Sequence, residues 1–161
     1  MRDWDPGIKL HPHPTFKNRK VKLGALPDLH LRWAFVGTSG SGKGVTTLDL
    51  LLRHYRGVFD RIHLYSKSST IDENWDPLRQ YVEKELGVNQ QEEQTFLDEF
   101  DAAALQEQMD LQTQVAEEAK RAKLKQIPQV LWIFDDVVDD ESVMHNNVSL
   151  IAKLAIRSKH F

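Results

Sequence analysis

The apolar run Leu31-Arg32-Trp33-Ala34-Phe35-Val36 passes without a break into Gly37-Thr38-Ser39-Gly40-Ser41-Gly42-Lys43, and then into a segment of helical periodicity. Strand, small-residue loop and helix in that order constrain the fold more than any other stretch. The spacing G-x-x-x-x-G-K has a mechanical basis: small residues let successive backbone N–H groups converge on phosphate oxygens, and the helix start and the lysine add positive charge. Gly-Ser runs also serve as flexible linkers. A linker, however, needs neither flanking regular structure nor a lysine at this spacing. The stretch therefore reads as a Walker A loop in which Gly37, Thr38, Ser39, Gly40, Ser41, Gly42, Lys43, Gly44 and Val45 hold nucleotide phosphates. Lys43 is the residue expected to contact the β and γ phosphates. One position departs from the pattern, because the Ser or Thr that normally follows the lysine and binds magnesium is Gly44.

A second apolar run, Val130-Leu131-Trp132-Ile133-Phe134, ends in Asp135-Asp136. Its unbroken character predicts a strand covered on both faces. A carboxylate at the C-terminal edge of such a strand lies beside the phosphate loop in an open α/β sheet. Asp135 is assigned to the hydrated magnesium ion and Asp136 to the attacking water. Thr47, on the opening turn of the helix after the loop, is a candidate to assist the metal through water, with helix packing as its alternative role. Asp139 and Asp140 read as part of an acidic strand-to-helix turn, with Asp140 or Ser142 as N-cap.

Periodicity and punctuation order the rest. Residues 1–28 contain Pro6, Pro12, Pro14 and Pro27 and read as an extended arm, leaving 29–161 as the principal domain. A helix is expected near 44–55, with Gly57 ending it, and a short strand over 61–65. Asp76-Pro77 opens another helix, with Asp76 as N-cap and Gly87 at its C-cap. Residues 90–126, rich in Gln, Glu and Ala, read as a long exposed helix, an acidic insertion stopped by Pro128. A last helix is expected from Asp140 to Arg157.

Charge is uneven. Eleven acidic side chains and one lysine fall within 83–118, whereas Lys17, Arg19, Lys20 and Lys22 lie near the start and Lys153, Arg157, Lys159 and His160 near the end. A polyanion would meet the terminal segments, not the middle. With 161 residues and 40% hydrophobic content the chain suffices for one core. It has no apolar run of about 18 residues and no apolar leader, so neither membrane insertion nor export is expected. The absence of cysteine excludes disulfides and thiolate metal sites, and agrees with an intracellular setting.

Over about 31–161 the sequence resembles the genome-packaging ATPases of poxviruses, giant viruses and Polinton-type elements, within the FtsK/HerA superfamily of P-loop NTPases. The resemblance rests on Phe35-Val36-Gly37 through Lys43, Tyr65-Ser66-Lys67, Asp72-Glu73-Asn74-Trp75, Ile133-Phe134-Asp135-Asp136 and the closing Arg157-Ser158-Lys159-His160. It implies an α/β, three-layer P-loop NTPase sheet with helices on both faces, using ATP and Mg2+. It further implies a homo-oligomeric, hexameric ring that moves double-stranded DNA without sequence specificity into a virion. In such a ring a neighbouring subunit supplies an arginine, and Arg157 is the candidate, with a helix C-terminal cation as its plainer role. Lys153 and Lys159 are candidates for DNA phosphate contact. The family has Arg-His where Lys159-His160 stands, so no arginine-specific role carries over to position 159. The family also places the strand after the aspartate motif between the two motif strands. This chain is expected to stop before it, truncated ahead of that central strand, with a gap in the sheet. A capsid or packaging protein is the expected partner of 90–126, and the host cytoplasm, viral factory or virion the expected location. Two other readings stand beside this one. A phosphotransferase or GTPase-like fold would make the motif strands direct neighbours, though no Asn-Lys-x-Asp motif is present. A nucleotide-binding module with little turnover would follow from Gly44.

Overall fold

The computed structural model of the chain describes residues 21, 26–69, 71–137 and 148–157. The arm over 1–20 and 22–25, the turn at Asp139 and Asp140, and the closing Ser158, Lys159 and His160 lie outside the described residues.

Three parallel strands form the sheet. The central strand β1 (Arg61–Ser66) pairs with β3 (Val130–Asp135) along its whole length, from Arg61 opposite Val130 to Ser66 opposite Asp135. On its other edge the two-residue β2 (Phe96–Leu97) pairs with Leu64 and Tyr65, so the order is β2-β1-β3. Side chains alternate across a strand. Ile62 and Leu64 of β1 therefore join Leu131 and Ile133 of β3 in one apolar cluster, while Tyr65 joins Trp132 and Phe134 in another. The first cluster is closed by α1 (Lys43–Asp49), its π-helical continuation Leu50–His54, and α2 (Asp76–Lys84). The second is closed by α3 (Ala102–Arg121) and α4 (Val148–Arg157). The result is an α/β fold with helices on both faces of a small parallel sheet. Parallel pairing follows from connectivity, because β1 and β3 are joined by a long crossover that carries two helices.

Leu64, Leu78, Val82 and Leu105 are completely buried, each worth roughly 1.5–3 kcal/mol of apolar transfer. Around them the helix ends are tied down by specific groups. Asp101 caps α3 by accepting from the amides of Ala103 and Ala104 at 2.8 and 3.0 Å. Gly57 takes φ of 78° in the turn after the π segment and donates its N–H to the Tyr81 hydroxyl at 2.9 Å.

Three elements differ from the sequence expectation. The strand expected over 31–36 does not form: residues 31–38 join no ladder among the described residues. A strand is defined by a neighbour that receives its N–H and C=O groups, and none of the described strands pairs with this segment. Side chains hold it instead. Trp33 meets Tyr55 edge-on at 5.2 Å, the Tyr55 hydroxyl donates to the Pro27 carbonyl at 2.7 Å, and Leu31 packs on the first cluster. Residues 90–126, expected as one helix, contain a turn, strand β2 and then α3, whose Leu105, Met109, Ala116 and Ala119 are buried. The periodic pattern was diluted by glutamine: Gln112 is buried and donates to the Pro128 carbonyl at 2.8 Å, so a polar residue occupies a core-facing position. Finally, Asp76 lies within α2 and does not cap it. A 3-10 turn over Glu73–Trp75 runs directly into the helix, which moves the free amide upstream, and Asp72 accepts from Asn74 N at 2.9 Å.

Candidate functional site

The loop after the 31–36 segment turns on two glycines in the left-handed region, Gly40 at φ 73° and Gly42 at φ 86°. Only glycine adopts that backbone readily. Gly37 is close-packed: a Cβ there would come within 2.6 Å of the Ser41 Oγ, which would have to rotate away. Ser41 N donates to the Thr38 carbonyl at 3.2 Å, closing the turn, and Thr46 N donates to the Gly42 carbonyl as the helix begins. Lys43 folds back over this loop. Its ammonium donates to the carbonyls of Gly37 at 2.9 Å and Thr38 at 3.1 Å. The lysine is thus held at the loop by weak neutral acceptors, which an anion would replace favourably.

Opposite stand the acids. Asp135 ends β3 in register with Ser66, which ends β1, and the Ser66 hydroxyl donates to Asp135 Oδ2 over a long 3.4 Å. Burial pushes the Asp135 carboxyl above the usual carboxylate range, and the neighbouring charge of Asp136 adds to the rise. The Ser66 bond and Lys43 work against it. A cation at this point would oppose the rise by favouring the charged carboxylate. Asp136 is exposed and adopts φ of 51°, in the left-handed region that non-glycine residues enter uncommonly. Such a conformation turns the chain sharply at the end of the strand.

A cavity of about 590 Å³ joins these parts. Lys43, Gly44, Thr47, Asp135 and Asp136 all line it, at the end where β3 finishes and α1 begins. Thr47 is committed to its own helix, its hydroxyl donating to the Lys43 carbonyl at 2.9 Å, while its oxygen lone pairs remain able to accept or coordinate. Gly44 borders the cavity, and a side chain there would meet nothing within 4 Å. Val45 is largely exposed on the first turn. Arg157 ends α4, and its side chain lies outside the described residues.

Among the described residues no cluster of three His, Cys, Asp or Glu side chains makes a cage for a metal ion. A metal at this site would rest on Asp135, with phosphate oxygens and water completing the shell, which is the mode magnesium favours. The half-buried, acid-flanked Asp135 fits that demand. Two neighbours escaped the sequence reading as site residues. Ser66 bonds Asp135, and the charge of Asp72, in the loop after β1, also raises the Asp135 carboxyl. The rule that singled out Asp135, a polar residue at the C-terminal end of a parallel strand, applies equally to Ser66.

Comparison with protein-family models, with curated proteins and with solved structures yields no match to this chain. Among the described residues no helix is long and apolar enough to cross a membrane.

Proposed function

We propose that this chain is a nucleotide-hydrolysing domain that uses ATP and Mg2+ and acts as part of a motor on double-stranded DNA. One observation carries the nucleotide reading. Two motifs far apart in sequence, the glycine loop with Lys43 and the acids Asp135 and Asp136, line the same cavity, and Lys43 and Asp135 are close enough for their charges to act on each other. In this reading Lys43 leaves the Gly37 and Thr38 carbonyls to bind the β and γ phosphates, and the loop amides hold the remaining phosphate oxygens. Asp135 would hold magnesium, whose chemistry there is neutralisation of charge on the transferred phosphoryl group. Asp136, exposed at the cavity rim, orients the attacking water. Double-stranded DNA as the partner, and assembly into a ring with Arg157 reaching a neighbouring site, rest on the family resemblance and the basic C-terminal segment.

Hydrolysis measured with and without double-stranded DNA, at two salt concentrations, tests the whole reading. ATP turnover that rises with DNA and loses that stimulation as salt increases is the expected result, because phosphate contacts release counterions. Lys43→Ala is expected to abolish turnover. Salt-insensitive hydrolysis without any response to DNA excludes the motor, and transfer of phosphate to a small acceptor excludes it in favour of a kinase. Gly44→Ser adds the missing hydroxyl where space allows. It is expected to lower the magnesium concentration needed for half-maximal rate; an unchanged requirement would show that position 44 does not face the metal.

A second reading is favoured by a specific feature. Gly44 brings no hydroxyl, and Val36, directly before the loop, is 96% exposed and joins no ladder among the described residues. A module that binds nucleotide with little turnover would show nucleotide affinity sensitive to Lys43→Ala and no phosphate release.

A further inference from the structure

We infer that the turn closing α3, with Lys120, Arg121, Lys123 and Lys125, is a contact point for the phosphate backbone of double-stranded nucleic acid, at the end of the sheet opposite Lys43 and Asp135. The acidic stretch of the chain ends at Glu118. The next eight residues, Ala119 to Gln126, hold four cations and no carboxylate, and 120–126 are all exposed. A polyanion therefore has a landing place in the middle of the chain as well as near its ends. Hydrogen bonds fix where this turn stands. Gln108 accepts from the Tyr65 hydroxyl at 3.1 Å and from Trp132 Nε1 at 2.9 Å, and one turn later Gln112 donates to the Pro128 carbonyl, ahead of β3. α3 thus runs opposite to β3, away from the end where Lys43 and Asp135 line the cavity. From Gln112 the helix continues to Arg121, about 14 Å at 1.5 Å per residue. The turn is carried past the starting end of the strands, and none of residues 119–126 lines the cavity.

Its shape is fixed as well. Leu124 N donates to the Ala119 carbonyl at 2.9 Å and Lys123 N to the Lys120 carbonyl at 3.1 Å, the pairing of a Schellman cap. At the left-handed position of that cap, where glycine is usual, stands Lys123 with φ of 54°. Leu124 takes the place whose side chain packs back on the helix in this motif. Ordinary roles do not use up four cations. A helix C-terminus gains from cations in its last turn, which is the place of Lys120 and Arg121, and the gain fades beyond it. Arg121 also meets Glu117 at 3.4 Å, with both side chains well exposed. Lys120, Lys123 and Lys125 form no ion pair among the described residues. A protruding tip that lines no cavity offers charge without a shaped pocket, which suits a repeating phosphate backbone and carries no sequence preference. Glu107, Asp110, Glu117 and Glu118, exposed along the same helix, repel a polyanion laid lengthwise on α3 and confine it to the tip. Binding at the tip shares its partner with the motor reading, but requires no ATP turnover and none of the C-terminal cations.

The test measures binding of the intact protein to two fluorescent duplexes of unrelated sequence, by anisotropy, at about 50 and about 200 mM salt. Four phosphate contacts alone weaken binding about 150-fold across that interval. The quadruple variant Lys120→Gln, Arg121→Gln, Lys123→Gln, Lys125→Gln is expected to lose this part, lowering the slope of log affinity against log salt by about 3.6 on both duplexes. Lys123→Gly guards against a folding artefact. Glycine relaxes the left-handed position, so the unfolding midpoint is expected to hold or rise while the slope falls by about 0.9. An unchanged slope in the quadruple variant overturns the assignment, and so does a loss confined to one duplex. Duplex binding left intact, with attachment to vesicles containing phosphatidylserine lost, also overturns it and makes an anionic lipid surface the partner. Failure of the motor gives a different result. Duplex binding that responds to the four substitutions, without any DNA-stimulated hydrolysis, supports the tip and excludes the motor. Stimulation that survives in the quadruple variant and disappears in Lys153→Gln leaves the motor standing and overturns the tip.

Discussion

β1 and the 31–36 segment are both six residues long, yet β1, in which only Ile62, Leu64 and Tyr65 are apolar, is sealed, whereas 31–36, apolar except for Arg32, is open. β1 has a strand on each side and helices on both faces, and Leu64 and Tyr65 are inaccessible to solvent. Residues 31–36 have a helix beside them and join no ladder among the described residues, and Val36 is almost fully exposed. The less apolar of the two stretches is the buried one, so composition does not decide burial. Backbone pairing does, because a strand can bury its N–H and C=O groups only when a neighbour receives them.

Substitutions that treat the two stretches alike should therefore separate them. Leu64→Ala, in the sealed strand, is expected to cost about 2–5 kcal/mol in denaturant unfolding, the range for a fully buried leucine that leaves a cavity. A loss below about 1 kcal/mol would mean that β1 is not the stability centre. The acid response of β1 comes next in size. His63 is buried, its ring stacks on Trp132, and its Nδ1 has no hydrogen-bond partner among the described residues. Burial, with the nearby Arg61 charge, lowers its pKa from 6.5 to about 4. Between these values the unfolded ring takes up a proton that the folded ring refuses. Stability is therefore fully present above pH 6.5 and falls as pH drops toward 4, by at most about 3 kcal/mol. His63→Phe should flatten the unfolding midpoint across that window, and an unaltered slope would assign the acid response to other groups.

Asp101→Ala removes the cap of α3 on the sealed side and is expected to cost about 1 kcal/mol, read as a shift in unfolding midpoint. Smallest of all is Val36→Thr in the open segment, where a change within about 0.5 kcal/mol is expected. A large loss there would show that residues 31–36 are already packed in solution, and the contrast with β1 would collapse.

Much of the fold was legible in local patterns. The helix after the loop, the strand at Arg61–Ser66, the helix opened by Pro77 and the strand at Val130–Asp135 each carry their own periodicity or punctuation. What escaped was either short or relational. β2 is two residues long and has no pattern to detect; it exists because Leu64 N bonds the Thr95 carbonyl at 2.8 Å and aligns the chain beside β1. On α3 the thin stripe of Leu105, Met109, Ala116 and Ala119 was legible, and only Gln112, whose burial depends on the Pro128 carbonyl, was not. Ser66 and Asp72 became visible at the site only when β1 was set in register with β3.

By itself the sequence determined the chemistry available: a glycine loop with one lysine, two acids at a strand end, and Gly44 where a hydroxyl is usual. Loop conformation follows from the residues themselves, since Gly40 and Gly42 enter the left-handed region that glycine adopts readily. The tertiary structure brings Lys43, Asp135 and Asp136 to one cavity, as the strand-end rule anticipates, and it alone decided that residues 31–36 join no ladder among the described residues while β1 is sealed. Side-chain pattern encodes the tendency to be buried. Whether burial is achieved depends on which backbone arrives alongside, and that is settled by long-range pairing, not by the segment.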